Sequence, residues 1–185
     1  MSRGANAGSL EEDKSMCVLT RDAILREIRE GNIIIDPFDE SLVGPGSVDL
    51  HLSNEIRTFL PKSEIYHVTD EPDFDRMTVR RVVEDYFVLQ PGETIHGITR
   101  ERIKLPPNLC GRLEGRSRFA RLGLMVHVTA GFVQPGVDNR QVLELSNTSR
   151  EPLAIHPGIR ICQFIFERTE GHAIYDGIFK NQTRV

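Results

Sequence analysis

The stretch PGVDNRQVLELSNTSREPLAIHPGIRICQFIF, residues 135–166, decides the fold. Within it QVLEL at 141–145, LAIH at 153–156 and ICQFIF at 161–166 are short β-prone runs, set off by Pro135-Gly136 and Pro157-Gly158. Proline presets φ and the glycine after it accepts positive φ, so a Pro-Gly pair beside such runs is a turn between strands. Outward from there the same grammar repeats: NIII at 32–35, the alternating SVDLHLS at 47–53, YFVL at 86–89, ETIHGI at 93–98 and LMVHVT at 124–129, with further Pro-Gly pairs at 45–46 and 91–92. Many short strands punctuated by turns predict a sandwich or barrel. One segment has a different period. Between Thr20 and Arg29 the apolar Ile24, Leu25 and Ile28 recur at helical spacing, with Thr20 as N-cap, Asp22 in the first turn and Gly31 past the end. A single amphipathic helix is expected there.

At 185 residues the chain has the size of one domain with tails. Residues 1–16 are small, polar and aperiodic and read as a disordered leader, and Pro61 to Arg81 reads as a long polar loop. No run approaches the roughly 18 to 20 apolar residues of a membrane span. A net charge of −4 argues against bulk binding to nucleic acid. Cys17, Cys110 and Cys162 are odd in number and widely spaced, which suits a reduced, cytoplasmic setting, with Cys110 and Cys162 as packing thiols. Neither they nor the six histidines have the spacing of a closed zinc site.

The common phosphate-loop, dinucleotide, nucleophile-elbow and metalloprotease motifs are missing. What stands out is GRLEGRSRFARLGL at 111–124, where Arg112, Arg116, Arg118 and Arg121 crowd between glycines. Arginine forks bind phosphate bidentately, and a Ser- or Gly-containing turn adds N–H groups and a hydroxyl, so one reading is a polyphosphate site. The other is a solvated basic face in a chain with 19 Arg and 4 Lys. Glu144 is the second singular residue. Alternation puts Val142 and Glu144 on one strand face and Leu143 and Leu145 on the other. A half-buried Glu there has a raised pKa and shuttles protons near neutrality; on a solvent face it is an ordinary strand carboxylate.

Taken together, REIREGNIIIDPFDESLVGPGSVDLHLSNEIRTF, LQPGETIHGITRERIKLPPNL, EGRSRFARLGLMVHVTA, QPGVDNRQVLELSNTSREPLAIHPGIRICQFIFE and YDGIFKNQ resemble the dCTP deaminase branch of the dCTP deaminase and dUTPase superfamily, from Leu19 to Gln182. The resemblance implies a mainly β subunit, a distorted β-barrel or jelly roll of the dUTPase-like β-clip type, with one N-terminal helix and short helical turns. Residues 17–170 would form the nucleotide-binding domain and 171–185 a lid over the active site. The subunits would assemble as a homotrimer with sites between them. The implied activity is cytoplasmic hydrolytic deamination of dCTP to dUTP and ammonia, in pyrimidine deoxynucleotide metabolism. It needs no zinc, and the deaminase zinc signature is absent here. Mg2+ would accompany the triphosphate, with no metal ligands from the protein, and dTTP is a candidate inhibitor.

Carried over by motif, Glu144 is the proton shuttle, and Ser117 with the main-chain carbonyl of Ala130 holds the attacking water. Arg121 polarises and orients that pair. Arg116 and Ser117 begin the nucleotide-binding turn, Val142 and Leu143 frame the base, and Tyr175 and Gln182 fold over the nucleotide. Several positions depart from the family pattern. Arg118 replaces a second serine, and Gln134 replaces the aspartate that serves the deoxyribose and, in relatives with dUTPase activity, the hydrolytic water. Glutamine is no base near neutrality, which argues against dUTPase activity. Asn139 stands for a glycine, Ile178 for a lysine with Lys180 two residues later, Gly131 for a histidine and Gly44 for a glutamine. The alternatives on the same scaffold are a dUTP pyrophosphatase or bifunctional enzyme, and a non-catalytic nucleotide-binding paralogue.

Overall fold

The computed structural model describes residues 17–61 and 65–185, so the leader at 1–16 lies outside the described residues. Helix α1 (Arg21–Arg29) precedes strands β1 (Ile34–Asp36), β2 (Val48–Phe59), β3 (Thr78–Val82), β4 (Phe87–Leu89), β5 (Thr94–Lys104) and β6 (Leu109–Gly115). The short helix α2 (Ser117–Ala120) follows, and then β7 (Leu124–Val126), β8 (Phe132–Val133), β9 (Asp138–Asn147), β10 (Leu153–Ile155) and β11 (Arg160–Arg168). The main sheet runs β7-β9-β5-β2-β11-β6-β8, with β1 added to β5 and β3 to β2, while β4 and β10 pair apart from it. The architecture is the mainly β, distorted barrel that the sequence predicts.

Strand β2 makes the sheet curl. Its first half, Val48 to His51, pairs with β11, whereas Leu52 to Thr58 pairs with β5. Alternation then sorts the side chains. Leu50, Leu52, Ile56, Ile95, Leu143, Leu145, Phe164 and Phe166 are all 3% exposed or less and form one core. Full burial of each such side chain contributes roughly 1.5–3 kcal/mol. At Gly111 the packing leaves no room for a side chain, because a Cβ would lie 2.1 Å from Phe164 Cε1 and 2.6 Å from the Ile165 carbonyl oxygen.

Helix α1 buries Ile24, with Leu25 and Ile28 packed against the core. Thr20 occupies the N-cap position, but its hydroxyl donates to Asp22 and caps no backbone N–H. Glu27 faces inward and takes Arg168 of β11 at 2.5 Å and Asn32 at 2.8 Å, which ties the helix to the sheet. Three of the four Pro-Gly glycines, Gly92, Gly136 and Gly158, have positive φ, while Gly46 does not. The expected loop at Pro61 to Arg81 ends in β3, which pairs with the end of β2. Its adjacent Arg80 and Arg81 stand between β-branched Val79 and Val82 at the exposed end of the strand, so charge masked it. The basic stretch likewise hides β6, and LMVHVT stops as strand at Val126 because His127 turns to φ 59°.

All three cysteines are free, with Cys110 and Cys162 buried and Cys17 exposed. Burial pushes both buried thiols above the usual range. No helix among the described residues is long and apolar enough to cross a membrane.

Candidate active site

The outer face of β2, β5 and β9, opposite the core, carries a cavity of about 480 Å³. Its walls include Arg57, His96, His127, Ala130, Phe132, Gln134, Val142, Tyr175 and Gln182. Glu144 stands at its edge, one alternation along β9 from Val142. Its Oε2 accepts the N–H groups of Val128 at 3.0 Å and Thr129 at 2.8 Å, and its Oε1 accepts the Thr129 hydroxyl. The loop that donates them is held in turn, since the His127 N–H donates to the Glu144 carbonyl at 2.7 Å.

These donors decide the carboxyl's state. Burial alone raises its pKa, but the Thr129 hydroxyl and N–H, His127 and the Val128 N–H together hold it below the ordinary value of 4.5. The expectation of a raised pKa is therefore corrected: Glu144 rests as a carboxylate. His127 adopts positive φ with both ring nitrogens buried and without a hydrogen-bond partner among the described residues. Such strain is sustained only where surrounding contacts over-determine it.

A second cavity of about 570 Å³ is lined by Asp49, Arg116, Ser117, Arg118, Arg121 and Gln163. Arg116 reaches Asp49 at 3.0 Å and donates to the Arg160 carbonyl at 3.0 Å, and Arg160 closes on Asp49 at 3.5 Å. Burial lowers the Arg116 pKa; Asp49 opposes this, and Arg118 and Arg160 add to it. The turn into α2 keeps Ser117 and Arg121 together, with the Arg121 N–H on the Ser117 carbonyl at 3.1 Å. Arg118 and Arg121 are exposed.

One chain thus divides the expected site residues in two. Ala130, Gln134, Val142, Tyr175 and Gln182 line the first cavity, with Glu144 beside Val142 on the same face of β9, and Arg116, Ser117, Arg118 and Arg121 line the second. Strand β2 runs from Asp49 in one to Arg57 in the other, about 26 Å of extended chain. Two expected contacts fall elsewhere. The Leu143 side chain is fully buried in the core, because its strand parity opposes that of Glu144, so it does not frame a base. Lys180 pairs with Asp176 at 3.0 Å, and Ile178 is 88% exposed.

The lost glycine at 139 has a structural use. The Asn139 amide donates to the Phe179 carbonyl at 2.8 Å, while the Arg140 N–H takes the Gln182 carbonyl at 2.9 Å and its guanidinium the Thr183 carbonyl at 3.1 Å. Residues 175–185 are thereby strapped along the first cavity, with Tyr175, Phe179, Gln182 and Val185 as one wall. Sequence reasoning missed Arg57, His96, His127, Thr129 and Arg140. For His96 a signal existed, since it alternates with Ile95 in ETIHGI and so faces away from the core. Its neighbours follow only from register.

With this geometry in view, comparisons with known proteins converge. The sequence profile of a family described as dCTP deaminase-like matches residues 18–169. A protein of Methanothermobacter thermautotrophicus named dCTP deaminase, dUMP-forming, is 39% identical over 180 residues, 91% of either chain. One of the same name from Beutenbergia cavernae is 42% identical over 162 residues, 85% of this chain and 82% of its own. The crystal structure of a 2'-deoxycytidine 5'-triphosphate deaminase from Agrobacterium tumefaciens superposes with a TM-score of 0.65 at 19% identity, over 83% of this chain and 49% of that one. That likeness is one of fold.

Proposed function

The chain belongs to the dCTP deaminase-like family, and from that premise we propose that it hydrolyses dCTP at cytosine C4 and carries the nucleotide on to dUMP. The observation that carries this is Glu144, a carboxylate facing outward at the edge of a cavity whose walls include Ala130, Gln134 and Val142. It takes a proton from water as the hydroxyl adds to C4 and delivers that proton to N3. It then moves the proton of the new hydroxyl to the amino group, the C4–N bond breaks, ammonia leaves and Glu144 is a carboxylate again. No zinc takes part in this scheme.

The curated relatives are dUMP-forming, which moves the proposed product from the dUTP expected of Gln134 to dUMP. In that second step water adds to the α-phosphorus and passes its proton to a phosphate oxygen of the nucleotide, the bond to the bridging oxygen breaks and pyrophosphate departs. Gln134 orients this water or the sugar by hydrogen bonding and takes no proton.

Ser117 and Arg121 serve Glu144 from a neighbouring subunit. The separation of the two clusters along β2 supports a homotrimer with shared sites, as does their chemistry: cations in one, carboxylate and base pocket in the other. Arg116, Arg118 and Arg121 receive the triphosphate. Asp49 is already paired with two arginines, and no group of three His, Cys, Asp or Glu side chains gathers among the described residues. A magnesium ion therefore fits as a passenger of the phosphates, neutralising their charge, with water completing its shell. Residues 171–185 act as the lid, dTTP competes for the same site, and the enzyme works in the cytoplasm.

Purified protein incubated separately with dCTP, dCMP and dUTP in magnesium, with ammonia assayed and nucleotides separated, tests the reading. Ammonia, dUMP and pyrophosphate from dCTP are expected. Accumulation of dUTP would confine the chemistry to deamination, and no ammonia from folded, trimeric protein would leave a nucleotide-binding paralogue.

A further inference from the structure

Glu144 does not stand alone on its face of the sheet. In the antiparallel register His96 of β5 lies directly opposite Glu144 of β9, and Arg57 of β2 lies directly opposite His96. Residues so paired project from the same face with Cβ atoms about 4.5–5.5 Å apart. All three oppose the core, as their neighbours Ile56, Ile95, Leu143 and Leu145 show. His127, bonded through its N–H to the Glu144 carbonyl, extends the row at the far end. The order across the sheet is therefore cation, imidazole, carboxylate, imidazole. His96 and Arg57 both line the cavity at whose edge Glu144 sits.

Each group facing His96 can be named. Arg57 is engaged elsewhere, with Asp75, with the Thr78 hydroxyl at 2.9 Å and with the main-chain oxygen of Val185 at 3.2 Å. Phe59 presents its ring at 5.3 Å between centroids, an edge-to-face contact that holds the imidazole plane. Glu144 is the facing anion. Burial disfavours the imidazolium, Glu144 opposes that and Arg57 adds to it, with the balance below the usual histidine value. His96 is thus neutral at physiological pH beside a group that takes up and gives back a proton twice per turnover.

We propose that His96 is a positioning residue for Glu144: as a neutral imidazole one strand away it leaves the carboxylate free to take and return protons, and as an imidazolium it pairs with the carboxylate and arrests proton delivery. An imidazolium beside Glu144 stabilises the anion, so the carboxylate becomes a poorer acceptor for the water proton. Acidification then stops turnover as His96 takes up its proton, so the acid limb belongs to the imidazole rather than to Glu144. The inference rests on Glu144 as the proton shuttle, and it adds a pH gate to that group.

Two measurements on the intact protein test it. First, kcat and KM for dCTP are followed from pH 5 to 8 in the wild type and in His96→Gln, whose amide keeps a polar side chain but does not titrate. The ratio of kcat at low to neutral pH should rise about tenfold in the variant, with KM following the wild-type profile. An acid limb that stays where it was would overturn the proposal. His96→Ala controls for shape: a purely structural role lowers kcat at every pH and leaves the limb in place. Second, the His96 imidazole is titrated by NMR in the wild type and in Glu144→Gln. Loss of the carboxylate should move its midpoint down by about half a unit or more; an unmoved midpoint counts against any coupling. This second arm requires no turnover, so absence of ammonia release sinks the deaminase reading without touching the coupling, and an uncoupled pair in an active enzyme sinks the coupling alone.

Discussion

Thr129 grips Glu144 twice: its N–H donates to one carboxylate oxygen at 2.8 Å and its hydroxyl to the other. Both bonds favour the charged form, and with His127 and the Val128 N–H they outweigh the burial that would raise the pKa. Thr129→Val removes the hydroxyl donor and keeps the N–H. The Glu144 titration should then move up by about one pH unit, since a hydrogen bond to a charged group contributes about 1.5–3 kcal/mol. Carbon-13 NMR of the labelled carboxyl reads this directly; no upward movement would mean that the two N–H groups suffice.

Glu144→Gln should fold, assemble and bind dCTP, yet lose ammonia release by about 10²–10⁴-fold. Mixing it with Ser117→Ala is more informative. Where each site draws Ser117 from one chain and Glu144 from another, co-refolded equal mixtures of the two inactive variants recover about a quarter of the sites. Continued inactivity of the mixture would place both residues in one chain's site.

At residue 134 a carboxylate is absent from the cavity wall. Gln134→Asp supplies a base, and dUMP formation from dUTP should accelerate by about 10²-fold. If dUTP turnover does not change, residue 134 is remote from the water that attacks phosphorus.

The Glu27–Arg168 pair makes stability depend on acid. Burial raises the Glu27 pKa, but Arg168 and Asn32 more than offset it and hold the group below 4.5. Its stabilisation is complete above the unfolded value and lost as pH falls through the lower folded value. Thermal melts should fall steeply below about pH 4.5, and Glu27→Ala should cost about 3 kcal/mol at neutrality, because it strands Arg168. Equal melting temperatures for the variant and the parent at pH 7 would mean that the pair contributes nothing.

Gly111→Ala tests the core. The added methyl overlaps Phe164 and the Ile165 carbonyl well inside van der Waals contact, so about 3 kcal/mol or more is forfeited. A variant that melts like the parent would show that β6 and β11 separate freely.

Most of the fold could be read from alternation and punctuation. QVLEL and ICQFIF are the middles of β9 and β11, and Ile24, Leu25 and Ile28 turn inward as their spacing requires. Legibility failed where charge outvoted pattern, as in β3, where Arg80 and Arg81 sit in an exposed strand. It also failed where conformation depended on contacts distant in sequence, as at His127. The site was half legible. Ser117, Arg116 and Arg121 share a cavity as their spacing suggests, and Glu144 faces outward by parity. Opposition of Glu144 to His96, and the bonds from Thr129, depend on how β5, β7 and β9 align, which no local segment encodes.

Alignment itself has a further guardian in the row Arg57, His96, Glu144. Strand side chains alternate with period two, so sliding β9 by one residue against its neighbours would thrust Glu144 inward and throw Leu143 and Leu145 out to water. A slipped sheet would bury an uncompensated charge, an error costing several kcal/mol. The residues of this outer face therefore also act as an assembly key, since their charge penalises the mispaired sheet whatever the cavity beside them binds.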